Sequence, residues 1–212
     1  MLKEMAVGST DQLERAIKRG VARIELNENL AVGGLTPSQS MIEQTLAVAD
    51  TFGVPVAVMV RPRPGDFVYS HREIEKMCDT LKRLRSLGVE AVTFGAVLSD
   101  GKLDRANMVK LLEAAQPMDV IFHMAFDTIT SEQQVFALDW LERHQVKRVL
   151  THGGAMQQTI QENLPHLTWL CQQAPANLTI LPGGGITYQN CEAICDFLGV
   201  EEVHGSKIVC LD

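Results

Sequence analysis

Short apolar runs alternate with amphipathic stretches from one end of the chain to the other. The runs KEMAVG, ARIELN, PVAVMVRP, AVTFGA, DVIFHMAF, RVLTHG, LTILPG and EVHGSKIV read as eight strands. Between them, stretches such as TDQLERAIKRG, SHREIEKMCDTLKRLRSLG and SEQQVFALDWLERHQV space their apolar residues three and four apart and read as helices. The punctuation agrees. Ser70 and Glu73 form a capping box, Pro37 suits a first helical turn, and Gly20, Gly53, Gly88 and Gly199 suit helix ends.

Strict alternation of strand and helix implies a parallel sheet, and eight strands favour a TIM-type (β/α)8 barrel over an open sheet. Little sequence follows the eighth run before Asp212. Either the last helix is missing and a partner subunit covers its place, or the strand count is wrong by one. No linker or shift in composition divides the chain, so residues 1–212 are expected to form a single domain.

Charge narrows the function. A net charge of −7 argues against a nucleic-acid surface, and Lys82, Arg83 and Arg85 read as the solvated face of a helix. The longest apolar run, Val54 to Val60, is too short to cross a membrane, and the N-terminus lacks a signal-peptide pattern. Five cysteines without a disulfide-framework spacing fit a cytoplasmic location. Cys191 and Cys195 share a helix face; they read as core thiols rather than as half of a metal site.

Candidate chemistry collects where strands would end at the barrel mouth. In ARIELNEN, Arg23, Glu25 and Asn27 alternate onto one face, and a strand buried on both faces must pair such a carboxylate or use it. Arg61 and Arg63 leave the third strand at the mouth. Arg61 is expected either to hold an anion or to pair with Glu25, while Asp66 caps the loop. His123 and Asp127 alternate onto one side of the fifth run and could serve as acid and base or as metal ligands. His152 and His204 end the sixth and eighth strands. Gly183, Gly184 and Gly185 follow the seventh strand and precede a helix expected near Thr187. They could cradle an anion together with Ser206, or simply make a tight turn.

The segments RIELNENLAVGGLTPS, VRPRPGDFVYS, FHMAFD and EVHGS resemble, in order, signature segments of the CutC family, the copper homeostasis proteins. The resemblance covers Glu4 to Ser206. It implies a TIM-type barrel, a cytoplasmic homo-oligomer (a dimer or tetramer) and a role in copper handling, with Cu(I) as the ion. The mouth residues it implies are Glu25, Arg61, Arg63, Asp66, His123, Asp127, His204 and Ser206, with His123 and His204 as candidate metal ligands. The chain departs from the family pattern at Asn27, Ala6 and Val7, where family members carry cysteines, and at Met124, where the family carries arginine. Met124 is expected to point away from His123 and pack against helices. Soft ligands near the mouth then reduce to Met59, His123, His152 and His204. From the residues alone, a mouth of hard, ionisable groups suits an enzyme acting on a small phosphorylated or carboxylate metabolite. Glu25, His123 and Asp127 would then move protons while Arg61 and the glycines hold the anion.

Overall fold

The computed structural model describes residues 1–211. Eight parallel strands run in the order β7-β6-β5-β4-β3-β2-β1-β8. They are β1 (Leu2–Val7), β2 (Arg23–Leu26), β3 (Val56–Met59), β4 (Ala91–Phe94), β5 (Asp119–Phe122), β6 (Arg148–Thr151), β7 (Thr179–Pro182) and β8 (Glu202–Gly205). Seven α-helices cover the outside among the described residues: α1 (Leu13–Lys18), α2 (Gln39–Phe52), α3 (His71–Ser86), α4 (Arg105–Ala115), α5 (Ser131–Arg143), α6 (Ile160–Gln173) and α7 (Cys191–Leu198). The described residues therefore form a (β/α)8 barrel without an eighth helix, and all eight strand runs hold a strand. β7 and β8 lie side by side, and just beyond them Thr187 and Lys207 form a parallel bridge that laces the seam at the mouth.

The caps follow from local chemistry. The Ser70 hydroxyl accepts from Glu73 N–H while the Glu73 carboxylate accepts from Ser70 N–H, starting α3 as expected. Thr159 and Glu162 make a second capping box on α6. Gly53 and Gly199 close α2 and α7 in the left-handed conformation. Pro37 differs from expectation: Ser38 is the N-cap of α2, so the proline lies ahead of the helix.

Alternation along each strand sorts side chains into two cores. Outward residues such as Ile24, Leu26, Val58, Val92, Phe94, Val120, Phe122, Val149 and Val203 join the helices in one continuous apolar layer, which includes Cys191 and Cys195. Inward residues split the barrel lumen. On one side Ala57, Ile121, Leu150 and Leu181 form a small apolar cluster, with Ala91 and Met124 packed against it. On the other side β8, β1 and β2 bring charged residues together, and the site grows from that half.

Candidate functional site at the barrel mouth

Register places Glu4 of β1 between Arg23 of β2 and His204 of β8. All three side chains are buried. The Arg23 guanidinium donates to Glu4 and, at 2.8 Å, to Glu202. Arg148 holds Glu202 from the far side with two hydrogen bonds of 2.6 and 2.9 Å. His204 Nδ1 lies 2.7 Å from Glu4 Oε1, and its Nε2 lies 3.8 Å from Glu25 Oε2. A chain of alternating charge thus crosses the lumen from Arg148 through Glu202, Arg23, Glu4 and His204 to Glu25. Each buried ion has a partner, as a low-dielectric interior demands.

This order sets the protonation states. Burial pushes the Glu4 carboxyl up, but the hydrogen bond and charge of His204, with the charge of Arg23, outweigh it and hold the group below the usual carboxylate range. Burial disfavours the charged His204 ring, yet the charge of Glu25 and the bond to Glu4 raise its pKa. Glu202 is desolvated too, but its arginines bring it down to about 2. Glu25 is the exception: burial, aided by the nearby Glu4 charge, raises it despite His204 and the Asn27 amide, which donates to Oε2 at 2.9 Å. Its other oxygen, Oε1, has no hydrogen-bond partner among the described residues.

His123 faces the cavity from the end of β5. There the strand stops: His123 Nδ1 accepts from Ala125 N–H at 3.2 Å, and a 3₁₀ turn follows over Met124–Thr128. An imidazole that accepts at Nδ1 carries its hydrogen on Nε2. That Nε2 is buried and has no partner among the described residues. The ring packs 4.8 Å from the Phe67 ring, and the Arg61 guanidinium lies over Phe67 at 4.7 Å. Burial and the Arg61 charge push the His123 pKa down to about 3, so the ring is neutral.

Glu25, Asn27, His123 and His204 share a cavity of about 440 Å³. Its walls are mostly apolar, including Met59, Phe67, Met124, Leu150, Met156 and Ile186, and Ser206 and Lys207 line it too. An apolar pocket with a few convergent polar groups is the usual form of a small-ligand site.

The 3₁₀ turn breaks the alternation expected after His123. Met124 turns into the lumen instead of toward the helices and lines the cavity. Asp127 leaves the mouth ring: its carboxylate accepts from the Thr151 hydroxyl and from the N–H groups of His152 (2.9 Å) and Gly153 (3.1 Å). It fixes the end of β6 and is not part of the cavity lining.

Arg61 does not pair with Glu25. Its guanidinium donates to the carbonyls of Val32, Gly34 and Gly65, stapling the loops after β2 and β3, and it lies outside this cavity. Arg63 is held by Asp66, Glu73 and three carbonyls and lies over Tyr69, so Arg63 and Asp66 organise their own loop.

The three glycines have structural work to do. A Cβ at Gly183 would lie 2.7 Å from Leu150 and 2.9 Å from Met124. Gly184 and Gly185 adopt φ of +77° and +79°. Gly184 and Gly185 line the cavity; the helix expected near Thr187 begins only at Cys191, after a turn tied by Asn190. His152 has both ring nitrogens near carbonyls, those of Gly183 and Gln158.

For a metal, the described residues offer one cluster, Glu4, Glu25 and His204, whose ligand atoms lie within 4.8 Å of one another. Glu4 is spent on Arg23 and on His204 Nδ1, so the cluster is an ion-pair network with hard donors and suits Cu(I) poorly. His123 is no better, because its unpartnered nitrogen Nε2 bears the hydrogen. The soft donors lining the cavity are the thioethers of Met59, Met124 and Met156; none of the five free cysteines lines it.

The sequence model of the CutC family matches residues 1–209. The chain belongs to the CutC family. It is 43% identical over 209 residues to a CutC family protein of Enterococcus faecalis, covering 99% of this chain and all of that one. It is 37% identical to the copper homeostasis protein cutC homolog of Homo sapiens, covering 97% of this chain and 72% of the human one. The solved CutC structure from Streptococcus agalactiae superposes with a TM-score of 0.95 at 36% identity, covering 99% and 100% of the two chains. A phosphonopyruvate hydrolase shares the barrel with a TM-score of 0.69 at 15% identity, which is a likeness of fold alone.

Glu4, Glu202, Arg148 and Lys207 are not among the candidate residues of the sequence, and Arg23 appears there only as a neighbour of Glu25 on the polar face of its strand. The signal was available for Glu4: a carboxylate in the middle of a strand buried on both faces, the same signal that singled out Glu25. The arginines and Glu202 sit at strand starts, where a charged residue reads as a solvated end.

Proposed function

We propose that this chain takes part in copper homeostasis, the role named for its human relative, by holding Cu(I) as cargo at the barrel mouth. The observation that carries this is the set of thioethers, Met59, Met124 and Met156, lining one cavity. Thioethers are soft and uncharged, and they suit Cu(I) where the family cysteines are replaced by Ala6, Val7 and Asn27. The protein acts in the cytoplasm, in keeping with its five free thiols, and it works as a homo-oligomer. No described helix is long and apolar enough to cross a membrane. An anaerobic Cu(I) titration against a chromophoric chelator tests the reading: one equivalent per chain is expected, and no competition with the chelator overturns it.

A second reading, an enzyme acting on a small anionic metabolite, is favoured by the unpartnered Glu25 Oε1 and His123 Nε2 in the same cavity. Ligand-induced stabilisation by phosphates or sugar acids is its signature. An unchanged melting temperature across such a panel would count against it.

A further inference from the structure

Three residues of the cavity lining, Glu25, Asn27 and His123, carry a buried polar atom without a partner among the described residues, and two of these atoms differ in kind. Glu25 Oε1 is an acceptor, and His123 Nε2 is a donor. A buried donor or acceptor left unmade is costly, so a ligand that satisfies both gains where water is excluded. The donor is unusual among histidines because it is locked as the neutral tautomer. Ala125 N–H occupies Nδ1, and Arg61, stacked over Phe67, opposes a positive charge on the ring. Such a ring can hydrogen-bond to an oxygen that becomes negative without surrendering its proton. Glu25 is a carboxylate in an apolar, desolvated place, steadied by the Asn27 amide and faced by His204. Behind His204, Glu4 and Arg23 fix the ring so that its charge answers Glu25 when Glu25 is ionised. At the mouth, Lys207 is exposed, belongs to the cavity lining and is positioned by its bridge to Thr187.

We propose that the cavity binds a small carbonyl compound with an anionic tail and exchanges the proton on the carbon next to the carbonyl, with Glu25 as the base, His123 Nε2–H on the carbonyl oxygen and Lys207 on the tail. The inference rests on the acid–base reading above and names its substrate class. In the step, Glu25 takes the proton. The C–H electron pair becomes the carbon–carbon double bond, and the carbonyl π pair moves onto oxygen as an enolate held by the His123 N–H. Glu25 then returns the proton to carbon. No oxidant, reductant or metal enters the balance. Met59, Phe67, Leu150 and Ile186 keep water from the enolate.

The test uses the full chain and two small probes, glycerol 3-phosphate and the enediolate mimic phosphoglycolohydroxamate, followed by calorimetry. Deuterium entry into dihydroxyacetone phosphate in heavy water is read by NMR. The expected result is at least tenfold tighter binding of the hydroxamate than of glycerol 3-phosphate, with deuterium entry lost in Glu25→Gln. A Lys207→Ala variant should weaken both probes alike. His123→Gln should lower the preference for the hydroxamate. Equal affinity for both probes with no deuterium entry overturns proton transfer while leaving an anion-binding cavity standing. Binding of neither probe, with no exchange, overturns the acid–base reading as well.

Discussion

Wild-type stability should fall with pH in a way that a His123→Gln variant does not share. His123 is buried, and its pKa is pushed down from its ordinary 6.5 to about 3. In the unfolded chain the ring protonates near 6.5; in the folded chain it stays neutral until about pH 3. Its contribution is therefore fully present above 6.5 and is lost as pH falls toward the folded value. At pH 5 the solution lies about 1.5 units below the unfolded pKa while the folded ring is still neutral, which stabilises the unfolded state by about 2 kcal/mol at roughly 1.4 kcal/mol per unit. Other titrating groups are common to both proteins and cancel in the difference. The assay is urea unfolding at intervals between pH 7.5 and 5, comparing the change in unfolding free energy. The variant should be less stable at pH 7.5, because a ring packed on Phe67 is lost, yet its curve should lose about 2 kcal/mol less than wild type on acidification. Parallel curves would refute the neutral, desolvated histidine and with it the tautomer assigned to Nε2.

Three further perturbations probe the frame around the site. Glu4→Gln leaves Arg23 and His204 buried without their shared counter-charge and should destabilise by about 3–5 kcal/mol, measured as a shift in the urea midpoint. Arg61→Ala removes donors from three loop carbonyls and should cost roughly 2–4 kcal/mol; it should also raise the His123 pKa in an NMR titration, which a purely local loop defect would leave unmoved. Gly184→Ala forces a side chain into the left-handed region with its Cβ 2.5 Å from His152 Nδ1. It should lower stability by more than about 1 kcal/mol, and a melting temperature equal to wild type would contradict that loop geometry.

The barrel was legible because its signal is periodic and repeated. Eight apolar runs separated by capped amphipathic stretches admit few folds, and each run holds a strand. The site was legible where a residue stands inside a strand, as Glu25 and His204 do, because alternation then fixes the face. It failed where the strand ended sooner than the pattern. His123 breaks β5 by accepting from Ala125 N–H, so Met124 swings inward and Asp127 moves under β6. Partners were also illegible. The sequence offers pairing with Glu25 as one of two possible roles for Arg61, whereas the register of β1 with β8 brings His204, distant in sequence, beside Glu25. Arg61 satisfies itself on carbonyls of two loops, contacts that no spacing encodes.

The central claim, that the barrel mouth receives Cu(I) on thioethers, is tested most directly by one anaerobic Cu(I) competition titration run on three proteins side by side. These are wild type, a Met59→Leu, Met124→Leu, Met156→Leu variant, and a chain with its five cysteines replaced by alanine. One equivalent should bind to wild type and to the cysteine-free chain, with binding lost in the methionine variant. Binding that survives in the methionine variant and vanishes with the cysteines would contradict it.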